Sequence, residues 1–171
     1  TAEGGKKILL SGVNWLPHML IQGPDALNEY YIKTIHHEFT HILNQTKDFQ
    51  VHFSLVTGSG YVADSWSEEP FDREYLQNGF ISAYSQHSAT EDFAEMMSIY
   101  VTNTPEYWEE QLKQAGTDGA AKITTKLGFV RSYMADSWNI DLDELRSTVI
   151  RRQNDVFGGK VDLDDISINK E

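Results

Sequence analysis

The side chains most suited to chemistry fall in His36-His37-Glu38-Phe39-Thr40-His41, where His37 and His41 stand four residues apart. On a helix, positions i and i+4 project from nearly the same side, so both imidazoles can reach one metal ion. Glu38 is rotated off that stripe. It can stand beside the position a catalytic metal leaves open and take a proton from water. Hydrolysis assisted by a divalent cation is the chemistry this pattern allows. His-Glu-x-x-His carries that meaning only on a helix, because the same residues can also decorate a solvated helix face.

The surrounding residues predict that helix. Gly23-Pro24-Asp25 supplies a turn, a proline suited to a first helical position and an acid near the positive end of the dipole. No Gly or Pro interrupts Leu27 to Leu43. Tyr31, Ile35, Phe39, Ile42 and Leu43 recur with a helical period and predict one buried apolar face. His37 and His41 fall on roughly the opposite side, with Thr34 and Glu38 near them, facing a cleft.

A catalytic zinc takes three protein ligands and leaves a place for water, so a third donor must come from elsewhere. Glu91 and Glu95 are the candidates, one turn apart on a helix expected over about 89–103 and capped by Ser88 or Thr90. One carboxylate would bind the metal. The other would accept the second ring N–H of a ligand histidine and fix its tautomer. Phe93, Met96, Met97 and Tyr100 on the same segment read as a core stripe.

Composition narrows the chemistry. The 171 residues hold no cysteine, which excludes disulfides and thiolate metal sites and leaves His and carboxylate as ligands. A formal charge of −12 argues against nucleic acid, whose phosphates reward clustered Lys and Arg. No apolar run approaches the ~20 residues of a membrane span. The chain opens Thr1-Ala2-Glu3-Gly4-Gly5 without Met or a signal peptide, and only 36 residues precede His37. A processed or trimmed fragment of a longer precursor is therefore expected, holding one domain over residues 1–171.

Punctuation and period predict the other elements. Residues 6–16 predict one or two strands turning at Ser11-Gly12, and residues 50–56 a short strand ended by Thr57-Gly58-Ser59-Gly60. Residues 57–72 predict an irregular loop that Tyr61 and Trp66 pack down, and residues 71–76 a helical turn stopped at Gly79. Further helices are expected from Pro105 to Ala115, from Ala120 to Trp138 after a break at 116–119, and from an Asp141 cap to about Gln153. The tail over 161–168 reads as an edge strand or a frayed end. The expected class is α+β, mainly α.

Tyr84-(x6)-Glu91-Asp92-Phe93-Ala94-Glu95 resembles the third-ligand segment of gluzincins of the anthrax lethal factor type. There a Tyr stands seven residues before the ligand Glu. The stretches His36–Gln45 and Glu91–Tyr100 look closer still to a Bacteroidetes family of zinc-binding metallopeptidases, described as substrate-import-associated zinc metallohydrolase lipoproteins. The resemblance covers about residues 31–101. It implies a zincin-like fold with a small N-terminal sheet, a His-Glu-x-x-His helix, a third-ligand helix and a C-terminal helical lobe. It implies one Zn2+ held by His37, His41 and Glu91, with Glu38 as general base, Tyr84 as hydrogen-bond donor to the developing oxyanion and Glu95 as supporting carboxylate. Asp92 replaces an aromatic of the lethal factor pattern and competes with Glu91 as ligand. The gap from His41 to Glu91 is also longer than in that pattern.

A monomer is expected. The resemblance further implies a peptide or protein substrate, a cell-envelope location as an outer-membrane lipoprotein or in the periplasm, and association with a TonB-dependent importer. His36 and His87 read as bystanders, and His18 and His52 have no role. Two other readings compete with a peptidase. One is a metal-holding binding module at an importer that cuts no bond, and the other is a helical interaction protein without metal.

Overall fold

The computed structural model describes residues 21–49, 52–63 and 74–160. A continuous helical run over residues 24–46, here α1, comprises Pro24–Leu27, a π-helical turn Asn28–Ile32 and Lys33–Thr46. Two short turns follow, α2 (His52–Leu55) and α3 (Glu74–Gln77). Then come α4 (Ala89–Thr102), α5 (Pro105–Trp138) and α6 (Leu142–Phe157).

The core is built around α4. Every residue of α4 from Asp92 to Thr102 is buried, the state of a helix surrounded on all sides. Phe93 stacks on Phe49 at 4.6 Å and meets Phe53 and Tyr133 edge-on at 5.1 and 5.2 Å. Tyr100 meets Trp108 at 5.0 Å. Met96 and Met97 are fully enclosed, as the apolar stripe predicted. α1 crosses one side of α4, while α5 and α6 pack on the others. Ser88 starts α4 by accepting from the Glu91 backbone N–H, and Asp141 starts α6 by accepting from Asp143 and Glu144.

The α+β class is corrected: the described residues are helical and contain no strand or sheet. Within the span expected as a strand over 50–56, His52–Leu55 forms a helical turn instead. Its Phe53 is wholly buried against Phe49 and Phe93, and that aromatic contact outweighs the weak extended preference of a short apolar run. The strands expected over 6–16, Trp66, residues 71–73 of the expected turn and the tail over 161–168 lie outside the described residues.

The buried side of α1 is also corrected. Leu43 is buried as expected, but Ile35 and Phe39 are 38% and 46% exposed, whereas His37, Thr40 and Asn44 are buried. The polar side turns inward because α4 offers it carboxylates. In α5, the expected break falls at Gly116, with φ 68° and ψ −176°, but the helix resumes at once rather than at Ala120. Position 119, in the resumed helix, is glycine because a Cβ there would sit 2.3 Å from the Leu76 carbonyl of α3. α6 runs to Phe157, past the expected end near Gln153.

Candidate metal centre

His37 and His41 project from α1 towards the first turn of α4, and Glu91 meets them there. His37 Nε2 and Glu91 Oε2 are 2.9 Å apart, the two histidine Nε2 atoms 3.1 Å, and His41 Nε2 and Glu91 Oε2 3.2 Å. Among the described residues these three side chains form the group that could hold a metal ion. A tetrahedral ion with bonds of about 2.0–2.1 Å sets its ligand atoms about 3.3 Å apart. The observed triangle is nearly that size.

Proton counting makes the same point. Glu95 Oε1 lies 2.8 Å from His37 Nδ1, so the ring donates there. In the neutral tautomer His37 Nε2 is then a bare lone pair facing a carboxylate oxygen. Two acceptors at 2.9 Å need a proton or a cation between them. Without a metal the balance favours the proton. Burial works against the imidazolium, but hydrogen bonds and charge from Glu91 and Glu95 outweigh it and raise the His37 pKa to about 9. The same pairing outweighs burial at Glu91 and holds that carboxyl far below its usual range. The donor set and its spacing fit a zinc ion.

Glu95, nearly fully buried, is held from three directions. Besides His37, it accepts from Ser82 Oγ at 2.8 Å and faces Lys33 Nζ at 3.5 Å. Lys33 also pairs with Glu29 at 3.0 Å. Lys33 and Ser82 were not singled out in the sequence. Lys33 had a signal, because it stands four residues before His37 on the same stripe. Ser82 had none, since its position depends on how the chain before α4 folds back.

Asp92 faces the other way. It is wholly buried and pairs with Lys126 Nζ at 2.5 Å and Tyr61 OH at 2.8 Å, while Lys126 also donates to the Gly79 carbonyl. Burial pushes the Asp92 carboxyl up to about 6 despite these partners. The structure therefore brings Glu91, not Asp92, to the histidine pair. Lys126 rests over the Phe80 ring at 4.1 Å, and Tyr61 packs edge-on against Phe80.

Tyr84 lies beside the cluster, its ring 5.9 Å from that of His37 and its phenol hydrogen-bonded to Glu91. Burial and the charges of Glu91, Glu95 and Glu38 raise its pKa, so the phenol keeps its proton as a donor. Glu38 and Tyr84 share with His37 and Glu95 the lining of a cleft of about 310 Å3. On the other side of His41 a second cleft of about 420 Å3 is lined by Asn44, Asp48, Phe49 and Thr90. His87 stacks on the Tyr84 ring at 5.8 Å. His36 Nδ1 bonds the Ile32 carbonyl at 2.8 Å.

Comparison with known proteins points to the same class of protein. The crystal structure of a zinc-binding metallo-peptidase from Bacteroides caccae, described there as "putative", superposes with a TM-score of 0.78 at 37% identity. The match covers 84% of this chain and 54% of that one, so the chain spans about half the length of that relative. A search of the curated proteins found no match. A family model described as "Putative zinc-binding metallo-peptidase" matches residues 1–143, and the chain belongs to that family.

Proposed function

We propose that this chain hydrolyses peptide bonds with one zinc ion held by His37, His41 and Glu91. The observation that carries the reading is the donor triangle with Glu95 on the far nitrogen of His37, which aims the Nε2 lone pair inward. Zinc bound there would act as a Lewis acid and make water a nucleophile near neutral pH. Glu38, on the cleft wall, accepts the proton of the attacking water and delivers it to the departing amine. The Tyr84 phenol donates to the oxygen that gains negative charge. Glu95 keeps His37 in the tautomer that presents Nε2, and Lys33 and Ser82 hold Glu95 in place. The substrate is a peptide or protein, as membership of a peptidase family implies. The envelope location and the importer association belong to the same proposal and are tested by fractionation and co-purification.

Elemental analysis of protein purified without added metal should give one zinc per chain. Glu38→Gln should keep that zinc and lose turnover on a peptide library, whereas His41→Ala should lose the metal. A metal-free parent, or a Glu38→Gln variant as active as the parent, overturns this function.

A further inference from the structure

The cleft at the metal centre does not end at Lys33. Beyond it lies the larger cavity, about 500 Å3, within the range of about 300–1,000 Å3 typical of ligand-binding clefts. Glu29 and Lys33 line both spaces, so the two are neighbours across one ion pair. The inner wall is apolar, formed by Tyr75, Ile81, Ala83 and Ile99. The α1 side is charged, with Asp25, Glu29 and Lys33 on it.

The geometry of α1 explains why those charges follow the metal ligands. Asp25, Glu29, Lys33, His37 and His41 recur every fourth residue. In a uniform α-helix each such step drifts by about 40° at about 100° per residue. The π turn Asn28–Ile32, closed by Lys33 N–H to the Asn28 carbonyl, takes more residues per turn and counteracts the drift. The stripe therefore stays on the cleft.

Its charge is unbalanced. Lys33 is the cation of the stripe, and both Glu29 and the buried Glu95 already share it. Asp25 has no ion pair or side-chain hydrogen bond among the described residues. We propose that this cavity is a subsite for a long cationic side chain, lysine or arginine, of a peptide bound across the metal centre. The aliphatic stem lies along Tyr75, Ile81 and Ile99, and the charged head meets Asp25 and Glu29 at the rim. The inference rests on the peptide-hydrolase reading and specifies which peptides that site takes.

The test uses the zinc-loaded Glu38→Gln protein and measures binding, so that cleavage does not interfere. The probes are end-blocked, alanine-rich octapeptides carrying lysine, arginine, norleucine or glutamate at each position in turn. At one position lysine and arginine should bind at least tenfold tighter than norleucine, with glutamate weakest. Adding Asp25→Lys, a change at an exposed residue, should abolish or reverse that order. The proposal is overturned if norleucine matches lysine at every position or if the preference survives Asp25→Lys. It is also overturned if binding requires a free N-terminal amine instead. Zinc content and turnover are read separately. A zinc-free, inactive parent defeats the hydrolase reading, whereas an active zinc protein with flat selectivity defeats only the subsite.

Discussion

Replacing Lys126 by methionine keeps most of the length of the side chain and removes its charge. In the parent, Lys126 and Asp92 are both 0% exposed and 2.5 Å apart. Removing one partner of a buried pair leaves the other without compensation, at a typical cost of about 3–5 kcal/mol. Asp92 would keep only its hydrogen bond from Tyr61 and weaker local contacts. For a chain of this size each kcal/mol moves the melting temperature by about 2–4 °C, so a drop of about 6–20 °C is expected.

The loss should depend on pH, and its sign follows from Asp92. Burial raises that carboxyl to about 6, above its ordinary 3.8, so the folded state holds the proton more tightly than the unfolded chain. Stability from this group is therefore present at low pH and is lost as pH rises through about 6. Without the ammonium the folded pKa climbs further, and the variant should be weakest, relative to the parent, at pH 8. Urea titrations of metal-free protein at pH 8 and 5.5 measure both, since bound zinc would mask the difference by mass action. The double variant Asp92→Asn, Lys126→Met should recover most of the loss, because neither residue is then charged. A cost below about 1 kcal/mol at pH 8, or one that fails to shrink at pH 5.5, refutes the reasoning.

Two further outcomes separate the supporting residues from the reacting ones. Glu95→Gln removes the carboxylate that receives the His37 Nδ1 proton. It should weaken zinc binding about 10–100-fold in competition with a chelator, and an unchanged affinity would deny Glu95 its orienting role. Tyr84→Phe should still hold its zinc but lower kcat/KM on a cleaved peptide by about 10²–10³, the cost of one oxyanion donor. A parent-like rate would remove the phenol from the mechanism.

What could be read in the sequence was local. The four-residue spacings of His37 with His41 and of Glu91 with Glu95 name two helix faces, and the structure turns those faces towards each other. Caps at Ser88 and Asp141 and the break at Gly116 follow from the conformations those residues favour. What failed depended on partners. Hydrophobic period placed Ile35 and Phe39 inside, yet the carboxylates of α4 draw the opposite, polar face of α1 into the protein. Periodicity counts apolar residues and is blind to a buried polar partner on another element. Asp92 is the same case, for its role is set by Lys126, 34 residues away in the chain. A strand was expected where Phe53 forms a helical turn, because a short apolar run is compatible with either until its aromatic neighbours are known.

The placement of Glu91 shows why the helix that carries the proposed third ligand is also the most deeply buried one. A ligand carboxylate must be held within about 0.5 Å of its working position, and first-turn side chains are mobile unless their helix is fixed. Along α4, Glu95 is tied to α1 through His37 and Lys33. One residue after Glu91, Asp92 is tied to α5 through Lys126. A rotation of α4 that relieved one attachment would stretch the other. The two sets of charges therefore set the orientation of Glu91, while the aromatic contacts of Phe93 set its depth. On this account the Asp92–Lys126 pair, although remote from the reacting bond, is part of what shapes the metal site. Its loss should lower zinc affinity as well as stability.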